Sequence, residues 1–89
     1  MEFQFDSEKD AANRARHGVS LVLGAVVLAN RVGEAVDERF EYGEVRINAF
    51  GMVNDRLYVC TYTVRDRIYR LISVRKASRQ ERRIWLQQK

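Results

Sequence analysis

His17, Glu44, Arg46 and Arg75 are the side chains of this chain best suited, by type and spacing, to chemistry at a phosphodiester. RNA cleavage without a metal needs three things. A base must take the proton of a ribose 2′-hydroxyl, cations must hold the phosphate and the charge it gains in the transition state, and an acid must protonate the leaving 5′ oxygen. One imidazole, one carboxylate and several guanidiniums meet that requirement. The same residues also permit a plainer reading, in which Glu44 and the arginines form a solvated ion-pair network and His17 complements the dipole of a helix end.

Strand alternation decides whether the four can meet. Three apolar runs, Glu44 to Phe50, Leu57 to Val64 and Arg67 to Val74, are joined by Gly51 to Arg56 and by a tight Arg65-Asp66 link, and predict an antiparallel meander. In the first run Val45, Ile47 and Ala49 share the face that meets helices, leaving Glu44, Arg46, Asn48 and Phe50 on the other. In the last, Ile68, Ile72 and Val74 read as core, with Arg70 the exception, and Tyr69, Leu71, Ser73 and Arg75 point outward. Glu44, Arg46 and Arg75 then line one side of the sheet, with His17 near it.

The remaining elements follow from caps and breaks. Residues 2 to 5 alternate as a short strand. Asp6 or Ser7 caps a helix, Ser7 and Asp10 resembling a capping box, and the helix ends at His17 before Gly18. Ser20 caps a second helix to about Asn30, apolar nearly all round and so expected to be buried, with a strand the competing reading for residues 22 to 28. Residues 31 to 43, polar, acidic and glycine-punctuated, read as loop, a solvated connection. Residues 78 to 88 form a last helix with Ser78 as cap and Glu81 completing a capping box. The order is β-α-α-β-β-β-α: one α+β domain over residues 1–89, with helices on one face of an antiparallel sheet.

Eighty-nine residues, 46% hydrophobic and 31% charged, fit one folded domain rather than a disordered chain. The net charge of +4 is segregated. From residue 65 to 89 nine Lys or Arg stand against two acids, whereas residues 1 to 64 carry seven against ten. A segregated basic patch, mostly arginine, points to a polyanion, because guanidinium forks match phosphate oxygens in pairs. One Cys and one His make no credible zinc site, so no metal or other cofactor is expected, and the lone Cys60 in an apolar run reads as a small hydrophobe of a reducing cytoplasm. No signal peptide is evident, and the run from Leu21 to Ala29 is too short to span a bilayer, so no membrane partner is expected.

Three segments resemble one family. They are Asp6-x-x-Lys9-x-x-x-Asn13-x-x-x-His17-Gly18-Val19-Ser20, then Gly43-Glu44-x-Arg46, then Ile72-Ser73-x-Arg75-Lys76-Ala77-x-Arg79-x-Glu81-Arg82. In this order, over residues 3 to 85, they are similar to the BrnT toxins of bacterial type II toxin–antitoxin pairs. The resemblance implies a RelE-like ribonuclease fold with the element order read above, and metal-free cleavage of mRNA that arrests translation. It also implies neutralisation by a BrnA-like antitoxin with a ribbon-helix-helix DNA-binding part. The partner would form a hetero-oligomer of two toxin and two antitoxin chains, which reaches operator DNA only through the antitoxin.

Carried onto this chain, the resemblance makes His17, Glu44, Arg46 and Arg75 the catalytic set. Glu44 would act as base or orient His17, and Arg46 and Arg75 would clamp the phosphate. Arg16, Arg70, Lys76, Arg79, Arg82, Arg83 and Trp85 would contact RNA. Three positions depart from the family pattern: Arg16 stands for Lys, Trp85 for a Tyr near the C-terminus, and Phe5 for a common Trp. An indole stacks on a base but has no titratable hydroxyl. The alternative is therefore a non-catalytic or degenerate toxin-fold module that binds RNA or an antitoxin through its basic C-terminal face.

Overall fold

A computed structural model describes residues 2–39 and 41–87. The elements are β1 (Glu2–Gln4), α1 (Ser7–His17), α2 (Leu23–Ala29), β2 (Arg31–Val36), β3 (Ile47–Val53), β4 (Arg56–Arg65), β5 (Ile68–Lys76) and α3 (Arg79–Leu86). The α+β class and the three helices agree with the sequence reading. The order has one strand more than expected, β2, in the segment read as loop. The five strands form one sheet, β1-β5-β4-β3-β2. It is mixed rather than antiparallel, because β1 runs parallel to β5 while every other neighbouring pair is antiparallel.

Local chemistry sets the element ends. Asp6 caps α1, its Oδ1 accepting from Glu8 N at 2.7 Å and Lys9 N at 3.4 Å. The Ser7–Asp10 capping box does not form. Asp10 instead accepts from Ser20 Oγ and Leu21 N, at 2.8 and 2.7 Å, and so ties α1 to the start of the next turn. Gly18 ends α1 at φ 76°, a left-handed conformation that costs glycine least. The expected capping box of α3 is present, with Glu81 N bonded to Ser78 Oγ at 3.1 Å and Ser78 N to Glu81 Oε1 at 2.8 Å. Residue 88 of that expected helix lies outside the described residues. The two meander hairpins turn through positive φ at Asn54-Asp55 and at Asp66-Arg67, as two-residue loops between twisted strands require.

The sheet separates two apolar clusters. Leu21, Val27, Leu28, Ala49, Cys60, Tyr62, Leu71 and Val74 fill the side under α2. Phe50, Leu57, Val59 and Ala77 lie on the opposite side, where Met52 and Trp85 pack against them. Trp85 brings α3 to this second face, so helices cover both faces rather than one. α2 sits close to the sheet because Gly51 has no Cβ to meet the Val27 carbonyl. Only one side of α2 is buried, through Gly24, Val27 and Leu28; Val22 and Val26 remain 57% and 42% exposed, against the expectation of an all-round buried helix. Cys60 is a fully buried small hydrophobe whose thiol is pushed up to about 12 by burial.

The alternation of β3 is as expected from Ile47 onward, with Ile47 and Ala49 toward α2 and Asn48 and Phe50 opposite; Val45 precedes the strand and is exposed. The alternation of β5 is not. Its register steps from Thr61↔Ser73 to Tyr62↔Leu71, which leaves Ile72 as an extra residue. Such a bulge shifts everything on one side of it by one position. Leu71 and Tyr69 therefore join Val74 on the α2 side, and Ser73 and Arg75 keep the outward face read from the sequence.

Candidate active site

The face that carries Thr61, Ser73 and Arg75 is open between two walls. They form a cleft of about 340 Å³. α1 supplies Lys9, Ala12, Asn13, Arg16 and His17; the loop after β2 supplies Asp37, Arg39, Tyr42 and Arg46; Thr61, Ile72 and Ser73 form the floor. The helical contribution follows from spacing, since Lys9, Asn13 and His17 recur every four residues and Ala12 and Arg16 lie beside them on one face.

The loop wall is folded around Asp37, whose residue is 6% exposed. Its N–H donates to the Arg46 carbonyl at 2.8 Å, closing the loop at its base. Its carboxylate accepts Arg39 Nε and Nη2 at 2.9 and 3.0 Å, and the Tyr42 hydroxyl at 3.0 Å. The Arg39 fork, with these further bonds, holds the Asp37 carboxyl down at about 2, so it is ionised. The Arg46 guanidinium lies over the Tyr42 ring, 4.0 Å from its centre.

His17 is half-buried at the end of α1. Burial, then the charges of Arg16 and Arg75, push its pKa below the ordinary 6.5. The imidazole is therefore neutral at pH 7 and able to accept a proton. Lys9, Arg16, Arg39 and Arg46 line the same cleft, a concentration of positive charge in a concave site that suits a phosphodiester. Among the described residues no group of three or more His, Cys, Asp or Glu is placed to hold a metal ion.

The sequence-derived residues distribute unevenly around this cleft. His17, Arg16 and Arg46 line it together. Glu44 sits behind Arg46, in a groove with Val36 and Glu38. Its carboxylate accepts Arg46 Nε at 3.2 Å and lies 3.5 Å from Arg65 Nη2, so its hydrogen bonds go to arginines rather than to His17. Arg75 is close enough to act electrostatically on His17, Arg39 and Asp37. Its fork is engaged by Glu81, at 2.7 and 2.9 Å.

The other basic residues lie elsewhere. Arg70 borders a groove with Gln4, Phe5 and Asp6. Lys76 and Arg82 border another with Arg56, and Arg82 donates to the Ala77 carbonyl at 3.1 Å. Arg79 and Arg83 are exposed on α3. Trp85 stacks on Phe50, ring centres 4.6 Å apart, which commits one of its faces. Lys9, Asp37, Arg39 and Tyr42 were not nominated from sequence. The four-residue spacing of Lys9, Asn13 and His17 was a usable signal for Lys9. For the loop residues no local pattern distinguished them from a solvated acidic connection.

The family model described as "Ribonuclease toxin, BrnT, of type II toxin-antitoxin system" matches residues 5–81. The chain belongs to the BrnT family. The match spans both walls and the floor of the cleft and ends in α3, so the segments that resembled BrnT in the sequence fall within it up to Glu81, with Arg82 just beyond. Membership makes this a ribonuclease toxin of a type II toxin–antitoxin system, with an antitoxin as its partner. No curated relative matches the chain. Among the described residues no helix is long and apolar enough to cross a membrane.

Proposed function

We propose that this BrnT-family protein is a RelE-like, metal-independent endoribonuclease that cleaves mRNA in the cytoplasm and arrests translation. The observation that carries the reading is the meeting, in one cleft, of His17 with the four cations Lys9, Arg16, Arg39 and Arg46. His17 takes the proton of the ribose 2′-hydroxyl. The 2′ oxygen attacks phosphorus, the bond to the 5′ oxygen breaks, and a 2′,3′-cyclic phosphate is left on the upstream fragment. Arg16, Arg39 and Arg46 hold the phosphate oxygens as their charge grows. Lys9 gives the proton to the leaving oxygen, a step closed to the arginines, which do not deprotonate.

Glu44 acts here through Arg46, fixing its guanidinium by a charge-assisted bond. Arg75 adds its charge to the burial and the Arg16 charge that lower the His17 pKa, and joins the sheet to α3 through Glu81. The exposed arginines of α3, with Lys76 and Arg70, contact flanking RNA or the acidic segment of a BrnA-like antitoxin, whose ribbon-helix-helix part takes the complex to operator DNA. The test is product chemistry. RNA incubated with the protein in excess chelator should yield 2′,3′-cyclic phosphate ends. RNA left intact would support a binding module instead, and cleavage abolished by the chelator would overturn the metal-free mechanism.

A further inference from the structure

Asp37 is the one acid among the described residues that line the cleft. A carboxylate there repels the phosphate that the site admits unless a cation offsets it. The Asp37 side chain is 2% exposed, whereas the Arg39 side chain bonded to it is 70% exposed. An arginine so exposed is ordinarily spread over many rotamers. Here the two Asp37 oxygens take Arg39 Nε and Nη2 at 2.9 and 3.0 Å. That two-point bond fixes the plane of the guanidinium as well as its place.

The same residue reaches Arg46 by two routes. Its N–H donates to the Arg46 carbonyl at 2.8 Å. Its Oδ2 accepts from the Tyr42 hydroxyl at 3.0 Å, and the Tyr42 ring lies 4.0 Å from the Arg46 guanidinium. One buried carboxylate therefore stands behind two of the guanidiniums that line the cleft.

We propose that Asp37 is a positioning residue for RNA cleavage. It sets the guanidinium of Arg39 directly, and that of Arg46 through Tyr42, for the phosphate oxygens on which charge grows. Asp37 itself touches no part of the RNA. This inference rests on the ribonuclease reading of the cleft and names the group that organises its loop wall. Cations already in place need no reorganisation during the reaction, so their order contributes to the rate of cleavage. Binding of the RNA depends instead on how much positive charge the cleft holds.

The experiment measures two quantities for Asp37→Asn. One is single-turnover cleavage of an RNA oligonucleotide at saturating protein. The other is binding of the same oligonucleotide in a His17→Ala background, which keeps it whole. An amide has the shape of the carboxylate but accepts at one atom only, so the fork is lost. Cleavage should fall roughly tenfold to a hundredfold. Binding should be as tight as in the parent or tighter, because a negative charge has left the cleft. Cleavage at the parent rate overturns the assignment. Equal loss of cleavage and binding, in step with loss of folded protein, makes Asp37 a merely structural residue and overturns it too. Arg39→Lys leaves Asp37 in place, keeps the charge and loses the fork. It should show the same split between cleavage and binding, and adding Asp37→Asn to it should lower cleavage less than Asp37→Asn does alone. Parent-rate cleavage by Arg39→Lys overturns the assignment even if Asp37→Asn fails to fold. All of these outcomes leave the ribonuclease reading standing; RNA left intact by the parent protein removes both.

Discussion

Asn13 of α1 clamps the edge of β5 at a single residue, Val74. Its Nδ2 donates to the Val74 carbonyl at 2.9 Å, and its Oδ1 accepts the Val74 N–H at 3.1 Å. The same Nδ2 donates to the Val19 carbonyl at 2.9 Å. β1 pairs with β5 only as far as Arg70. Past the bulge, the amide of Asn13 takes the place that a neighbouring strand would occupy. That contact fixes the face of α1 that carries Lys9 and His17 against the sheet that carries Ser73.

Asn13→Ala leaves the Val74 N–H unbonded by any side chain and strands two carbonyls. With unsatisfied buried groups costing roughly 1–3 kcal/mol each, the loss of stability should be about 3 kcal/mol. Asn13→Asp should also destabilise, because a carboxylate accepts from Val74 but repels both carbonyls. Urea unfolding checks this; a cost below about 1 kcal/mol for the alanine variant would show the clamp to be dispensable.

The pH profile tests His17. Its folded pKa lies below 6.5, chiefly through burial and then through Arg16 and Arg75. A base is active when unprotonated, so kcat/KM should fall on an acid limb centred below pH 6.5. Arg16→Gln removes a positive charge, makes protonation easier, and should move that limb to higher pH. The move should be partial, because burial remains. A limb that does not respond to Arg16→Gln would place the titrating base elsewhere.

Stability should follow the two bonded carboxylates. Asp37 is held down to about 2 by Arg39, and Glu81 to about 2 by Arg75, against ordinary values of 3.8 and 4.5. Groups with depressed folded pKa stabilise the fold fully above their unfolded values, and that contribution is lost as pH falls through the folded ones. Unfolding free energy should therefore decline from about pH 4.5 toward pH 2. Glu81→Gln should be less stable at neutral pH and should decline less steeply in acid. An unchanged acid slope in that variant would mean the Arg75–Glu81 pair adds nothing in solution.

Gly33 on β2 should not tolerate a side chain. A Cβ there would run into the Trp85 ring, which lies over Gly33 and stacks on Phe50, the partner of Gly33 across the strands. Gly33→Ala forces Trp85 off its stack, an overpacking strain of about 1–3 kcal/mol. Near-ultraviolet circular dichroism should report the displaced indole. A variant as stable as the parent with the same indole signal would show that α3 is not seated this way.

β2 also shows where sequence reading failed. All of its residues except Gly33 are exposed. It is an edge strand held by pairing to β3 and by the Tyr62 hydroxyl donating to Glu34, so it has no apolar alternation to read. The parallel β1–β5 pairing and the Ile72 bulge depend on contacts distant in sequence, and the bulge alone reversed Tyr69 and Leu71. By contrast, the end of α1 at Gly18 and the Ser78–Glu81 capping box are local chemistry, and both were legible.

The site divides in the same way. His17 and Arg46 could be placed because a helix end and a strand start are readable. Asp37, Arg39 and Tyr42 could not, because what makes them a wall of the cleft is a carboxylate buried by the folded loop itself. In sequence that segment looks like a run of acids and arginines in water.

The most direct measurement is the rate of RNA cleavage by the His17→Ala protein. If His17 is the base in a cleft of cations, cleavage should drop on the order of a hundredfold or more, while RNA binding and the unfolding midpoint stay close to those of the parent. Cleavage at the parent rate by a folded His17→Ala protein would contradict the account.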